Sequence, residues 1–239
     1  LVPFVILIFN KIYFSNSRLY NYIYGFLIIV YSLFPTVLLS NQEILTTNTF
    51  RSGFNSDNFQ QDIIYSLNID IDGSVNLNSY EGSGYIIDIQ NRPGRVGFPE
   101  VIESKIGNPR LIQFREIETD RLLQVKGWDL KLGNQIFWNL YIMSFGSNIN
   151  LNNLNLINTE IIGTGDINMG KNLNSGDIFI SGNFNIYVDT SLPIVVIGSA
   201  EVPAGWIDAT IGYLNQTNEN YKFKVIVEEG SNVVFQNGE

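Results

Sequence analysis

From about residue 62 onward, apolar and polar residues alternate with a period of two. Leu67, Ile69 and Ile71 alternate with polar neighbours in SLNIDID, and Val75 and Leu77 resume the pattern after a Gly73-Ser74 turn. Such alternation, bounded by Gly, Asn and Asp, predicts half-buried strands. In the second half the unit recurs. Gly146 opens GSNINLNNLNL, Gly165 opens GDINMG, Gly176 opens GDIFI, Gly182 opens GNFNIYV and Gly230 opens GSNVVF, with spacings from 6 to 19 residues through the dense part. Repetition at so short a period predicts stacked short strands, a β-solenoid-like rack. A glycine at each corner admits positive φ, and the neighbouring Asn and Asp tolerate the same region. The alternation then points Ile149, Leu151, Leu154, Leu156, Ile161, Ile167, Met169, Ile178, Ile180, Phe184, Ile186 and Val188 inward. The best helical candidate after residue 62, at 96–106, is broken by Gly97 and Pro99. The expected fold class is therefore all-β, with the solenoid-like domain at 62–239.

The start of the chain follows a different pattern. Residues 19–40 form a run of 22 without a charge. As a helix the run would cover about 33 Å, against a hydrocarbon core of about 30 Å. Tyr20, Tyr22 and Tyr24 stand at one end, where an interfacial aromatic belt would lie, and membrane helices tolerate a residue such as Pro35. A transmembrane helix is expected there. Residues 1–9 are wholly apolar but too short to span, and the chain begins with Leu, so a first span truncated at 1–14 is expected. Lys11 follows the first apolar stretch, whereas the charges of a signal peptide would precede it. The expected division is thus an anchor at 1–40, a linker at 41–61 and the β domain at 62–239. Lys11 and Arg18 lie between the two apolar stretches, which by the positive-inside rule puts that loop in the cytoplasm and the β domain outside the cell membrane.

Composition narrows the chemistry. The chain has neither cysteine nor histidine. Disulfides, thiol nucleophiles, imidazole bases and Cys- or His-ligated metals cannot be built from it. The net charge is −9. Setting aside Lys11 and Arg18 leaves 12 basic against 23 acidic residues in a remainder that holds every carboxylate. So acidic a surface argues against nucleic acid as a partner.

Several constellations carry alternative chemistry. Asp166, Asp177 and Asp189 flank the repeat turns and could cap those turns or form a calcium row, although the dense glycine–aspartate pattern of calcium-binding β-rolls is missing. Asp70, Asp72, Asp88 and Glu81 could supply a carboxylate pair for glycoside hydrolysis, but carboxylates are plentiful in this chain. The glycine-rich GSGYI at residues 82–86 has no lysine and no following helix to make it a phosphate loop. Arg92, Arg95, Lys105, Arg110 and Arg115 belong to a local concentration of positive charge that could dock an acidic partner or lipid headgroups, or form a solvated face. Trp128, Trp138 and Trp206 could stack on sugars or cover the core. Asn215-Gln216-Thr217 fits a glycosylation sequon.

The run WDLKLGNQIFWNLYIMSFGSNINLNNLNLINTEIIGTGDINMG resembles the toast-rack, or LiaF-like, domain of bacterial and archaeal membrane proteins. The likeness lies in a Trp-led strand at Trp128-Asp129-Leu130, an apolar strand ending in the Gly146 turn, and a short segment spaced as Leu151, Leu154 and Leu156. A second glycine turn follows at 163–166, then GNFNIYVDTSLPIVVIGS and a closing strand pair around 221–235. The resemblance covers about residues 60–239. Asn replaces Ala in the family's glycine-alanine-glycine turn at Gly146-Ser147-Asn148, Thr does so at Gly163-Thr164-Gly165, and Asp189-Thr190-Ser191 stands where a proline-led turn is commoner. The resemblance implies a non-enzymatic, sensory or regulatory protein-interaction module of the cell-envelope stress response, partnered by the lipid bilayer and a membrane sensor kinase or other envelope protein. It implies no cofactor. Two alternatives stand beside it: a structural or adhesive surface module that self-associates through β edges as a homo-oligomer, and a carbohydrate-binding or carbohydrate-active solenoid.

Overall fold

β-branched and aromatic residues at every second position need a sheet that buries one face, and an all-β structure results. The computed structural model describes residues 25–27, 47–55, 63–93, 98–104, 106–116, 127–216 and 221–238. The chain divides into two units, Leu1–Thr47 with Pro93–Arg95, and Asn48–Arg92 with Val96–Glu239. In the first, residues 25–27 are helical, while the remainder of the spans expected at 1–14 and 19–40 lies outside the described residues. Among the described residues no helix is long and apolar enough to cross a membrane.

Apart from the end residues Thr47 and Pro93, the second unit holds the strands β1 (Thr47–Asn55), β2 (Ile64–Asp70), β3 (Val75–Tyr80), β4 (Gly84–Pro93), β5 (Pro99–Glu103), β6 (Arg110–Glu116), β7 (Trp128–Gly133) and β8 (Phe137–Asn150). It continues with β9 (Asn155–Met169), β10 (Ile178–Asp189), β11 (Ile194–Ile197), β12 (Ile207–Ala209), β13 (Gly212–Leu214), β14 (Phe223–Val227) and β15 (Asn232–Gly238). Among the described residues these join into one 15-stranded sheet. The stretch expected as a linker, 41–61, contains β1, whose neighbour in the sheet is β4. Strand structure thus begins well before residue 62.

β8, β9 and β10 set the architecture. They run parallel, rung over rung, so that Ile142 lies beside Ile161 and Ile161 beside Ile180, an offset of 19 residues. Each is long enough to pair with two shorter strands end to end. β8 meets β2 along its first part and β3 along its second; β10 meets β14 and then β15. The sheet therefore has two limbs joined through the three long strands. The inward residues of both limbs belong to one hydrophobic core. All twelve residues expected to point inward are buried there. Each such aliphatic side chain is worth roughly 1.5–3 kcal/mol against exposure, most of which chain ordering offsets.

The corners explain the glycines. Gly163 has φ of 128° and Gly182 of 120°, and the two stack in register on Ser144. A Cβ on Gly163 would lie 1.7 Å from the Ser144 carbonyl oxygen, and one on Gly182 would lie 2.0 Å from that of Gly163. Hydroxyl groups staple the same corners. Ser147 Oγ accepts from the Val75 N–H (2.8 Å) and donates to Ser144 Oγ (2.7 Å), both serines being buried.

Rung order departs from chain order at both ends. β6 and β7 come later in sequence than β2 and β3 but lie outside them, in parallel. Likewise β14 lies between β10 and β11. Antiparallel strands then close the ends: β5 on β6 and β4 on β7 at one, β13 and β12 beyond β11 at the other. Aromatic rings fill the first end. Tyr85 and Phe114 meet edge to face at 5.0 Å, Phe114 meets Trp128 at 6.4 Å, and Tyr65 packs on Trp138 at 5.7 Å.

Candidate interaction surfaces

The residues singled out by composition and spacing fall in separate places. Arg110 and Arg115 are both on β6 but point to opposite faces. Arg110 lies over the Tyr65 ring, 5.9 Å from its centroid, while Arg115 is exposed in register between Asp70 of β2 and Glu100 of β5. Arg95 and Lys105 lie outside the described residues, as does the side chain of Arg92. The described part of the set therefore does not converge on one docking face.

The carboxylates are equally dispersed. Asp70 is on the outer face of the first limb, Asp88 is on β4 opposite Asp129, and Asp72 and Glu81 are exposed in turns. Asp166 accepts from Asn185 Nδ2 (2.9 Å), Asp177 from the Lys224 N–H (3.4 Å), and Asp189 from the Ser191 N–H (2.8 Å) and Oγ (2.6 Å). These are turn and ladder caps rather than a row. The Ser191 donors hold the Asp189 carboxyl below the usual carboxylate range. Among the described residues no group of three or more acidic side chains is placed to hold a metal ion. Trp128 and Trp138 are fully buried, Trp138 donating to the Gly133 carbonyl (2.8 Å), so neither can stack on a sugar; Trp206 is half-buried against Phe235. The sequon's Asn215 is also engaged, accepting from the Ile194 N–H (3.0 Å) and donating to the Leu192 carbonyl (2.7 Å).

What the stack does assemble is rows across the strands, because register places chemically similar residues of successive rungs side by side. On the outer face of the second limb, Asp129, Asn76, Asn148, Asp166 and Asn185 form one row. Asn76 donates to Asp129 (3.0 Å), Asn168 to Asn148 (3.4 Å) and Asn150 to Asn78 (3.2 Å), giving a side-chain amide ladder. Such ladders stabilise stacked strands in their own right.

The outer face of the first limb is different. One row reads Asn68, Tyr141, Glu160, Phe179 and Ile226; the next reads Asp70, Met143, Ile162 and Ser181. Glu228, whose N–H donates to the Ile180 carbonyl (2.9 Å), continues the second row. Two adjoining hollows lie on this face. The larger, of about 470 Å³, is lined by Glu160, Ile162, Phe179, Ser181, Ile226 and Glu228. The smaller, of about 260 Å³, adds Ser66, Asn139, Tyr141 and Asn158 and shares Glu160 and Phe179. Phe179 is 47% exposed at their junction. No sequence expectation singled out these residues, although Tyr141, Glu160 and Phe179 recur at the rung interval of 19.

No protein-family model matches the chain, and no curated protein matches it. Among solved structures it is similar to a candidate cell-adhesion protein from Clostridium sporogenes, at TM-score 0.60 and 14% identity over 81% of this chain and all of that one. A candidate adhesin from Bacteroides fragilis aligns at TM-score 0.29 and 8% identity, over 80% of this chain and 98% of the other. The first likeness shows a shared fold.

Proposed function

We propose that the chain is a non-enzymatic adhesive module of the cell surface, a stiff stack of rungs that holds the outer face of its first limb toward a partner. The observation that carries this reading is the exposure of Phe179, set in register between Glu160 and Ile226. Phe137 and Phe145 on β8 are exposed as well. Contiguous apolar side chains exposed on a sheet face mark a contact surface. The fold shared with the candidate cell-adhesion protein of Clostridium sporogenes supports the same direction. Beads coated with the full chain should be retained on cells of the source organism under shear. The double variant Y141E/F179E should lose most of that retention with its circular dichroism unchanged, and undiminished retention would refute the proposal.

A second reading is favoured by the uncharged run at 19–40 and by the toast-rack resemblance of residues 60–239. In it the run anchors the stack in the cell membrane, outside the cytoplasm, and the stack restrains a sensor kinase during envelope stress. Detergent extraction followed by co-purification of a membrane histidine kinase is its test.

A further inference from the structure

We infer that the larger hollow on the first limb binds an extended basic peptide in which two cationic side chains flank an apolar one, in the order basic–x–apolar–x–basic. The inference rests on the adhesive reading of this face and narrows the chemistry of its partner.

The hollow is a patch two rows deep and three strands wide. β9 supplies Glu160 and Ile162, β10 supplies Phe179 and Ser181, and Ile226 and Glu228 come from β14 and the residue following it. The two carboxylates thus occupy diagonally opposite corners. Neighbouring strands lie about 4.8 Å apart and same-face residues about 6.7 Å apart along a strand, which puts the two glutamates about 12 Å apart at Cα. An extended peptide presents same-face side chains at the same interval of about 6.7 Å, so its residues i and i+4 are about 13 Å apart. A basic residue over each glutamate therefore leaves residue i+2 above Phe179 and Ser181. An aliphatic side chain there would cover the Phe179 ring and the flanking Ile162 and Ile226.

Charge fixes the sign of the partner. Among the described residues, neither hollow is lined by a lysine or arginine. Lys224, two residues before Ile226 on β14, lies beyond the hollow, next to Asp177. The net charge of −9 adds a long-range pull on basic segments, which raises association rates at low salt. Glu160 and Glu228 are both exposed. Each ion pair is therefore of the modest surface kind, and the two together are worth about tenfold in affinity.

The test uses the full chain in neutral detergent and a fluorescein-labelled peptide containing Lys-Ser-Leu-Ser-Lys, read by fluorescence anisotropy. The expected result is saturable binding that weakens with salt. It should fall about tenfold in E160Q/E228Q, whose exposed sites leave the fold intact, and fall again when the lysines are moved to i and i+2. Binding that ignores the spacing, or that survives E160Q/E228Q and F179S unchanged, would overturn the inference. Tighter binding of a chitosan oligosaccharide than of the peptide would overturn it in favour of an amino-sugar polymer. The adhesive face and the peptide site are tested separately. Bead retention that needs Phe179 without any peptide binding removes the peptide and leaves the adhesive face. Peptide binding without Phe179-dependent retention removes the adhesive role and leaves the site.

Discussion

Replacing Gly163 by alanine tests whether the corners are what hold the rungs in register. At φ of 128° an alanine enters a region that is essentially reserved for glycine, at a cost of about 1–3 kcal/mol. Its Cβ would also sit 1.7 Å from the Ser144 carbonyl oxygen. That atom belongs to the backbone of the rung below and cannot turn aside like a side chain. Shifting a packed neighbour costs about another 1–3 kcal/mol, so the total expected loss is about 4 kcal/mol. Gly146 is the matched control. It also has positive φ, 68°, but a Cβ there meets nothing within 4 Å. G146A should therefore cost only the left-handed penalty of about 1–2 kcal/mol. Urea unfolding followed by tryptophan fluorescence reports on both, since Trp128 and Trp138 are buried in the stack. Equal losses in the two variants would refute the argument from close approach and leave only the argument from φ.

Other perturbations follow from the same structure. Thr159 is buried, and its Oγ1 has no hydrogen-bond partner among the described residues, so T159V should raise stability by about 1–2 kcal/mol in urea unfolding. S147A removes the acceptor of the buried Val75 N–H and should lower stability by about 1–3 kcal/mol by the same measurement. Acid unfolding should carry a contribution from Asp189, whose folded-state pKa is held below 3.8 by Ser191. That contribution is present above 3.8 and is lost as pH falls through the lower folded value, so the urea midpoint of D189N should vary less with pH on the acid side. At the alkaline end, burial, with a hydrogen bond from Tyr85 Oη to Glu103 (2.5 Å), raises the Tyr85 phenol above its usual 10.0. Its stabilisation is complete below 10.0 and lost as pH rises through the folded value, a slope that Y85F should abolish.

The inward ladder was legible because burial on one face of a sheet forces alternation, and nothing else in the chain mimics it from Ile149 to Val188. The corners were legible for a related reason: only glycine fits at Gly163 and Gly182, so the residue type reports the geometry. Rung order was not legible. Alternation says that β2 and β6 each bury one face, but not that β2 lies between β6 and β8, since register between distant strands depends on side-chain fit that a period of two does not encode. Nearness in sequence likewise does not say which way charged side chains face. Arg110 and Arg115 are near in sequence, yet five positions along one strand place them on opposite faces. The first-limb face was hidden differently. Tyr141, Glu160 and Phe179 are unlike one another, and only the 19-residue rung interval makes them neighbours. β1 escaped notice because TNTFRSGFN does not alternate cleanly.

The proposed surface role requires the stack to lie outside the membrane. Protease digestion of intact cells or right-side-out vesicles tests it most directly, with antibody against the C-terminal strands as the readout. The C-terminal epitope should be lost without lysis, at a rate equal to that after lysis. Protection until the membrane is opened would contradict it and place the stack in the cytoplasm.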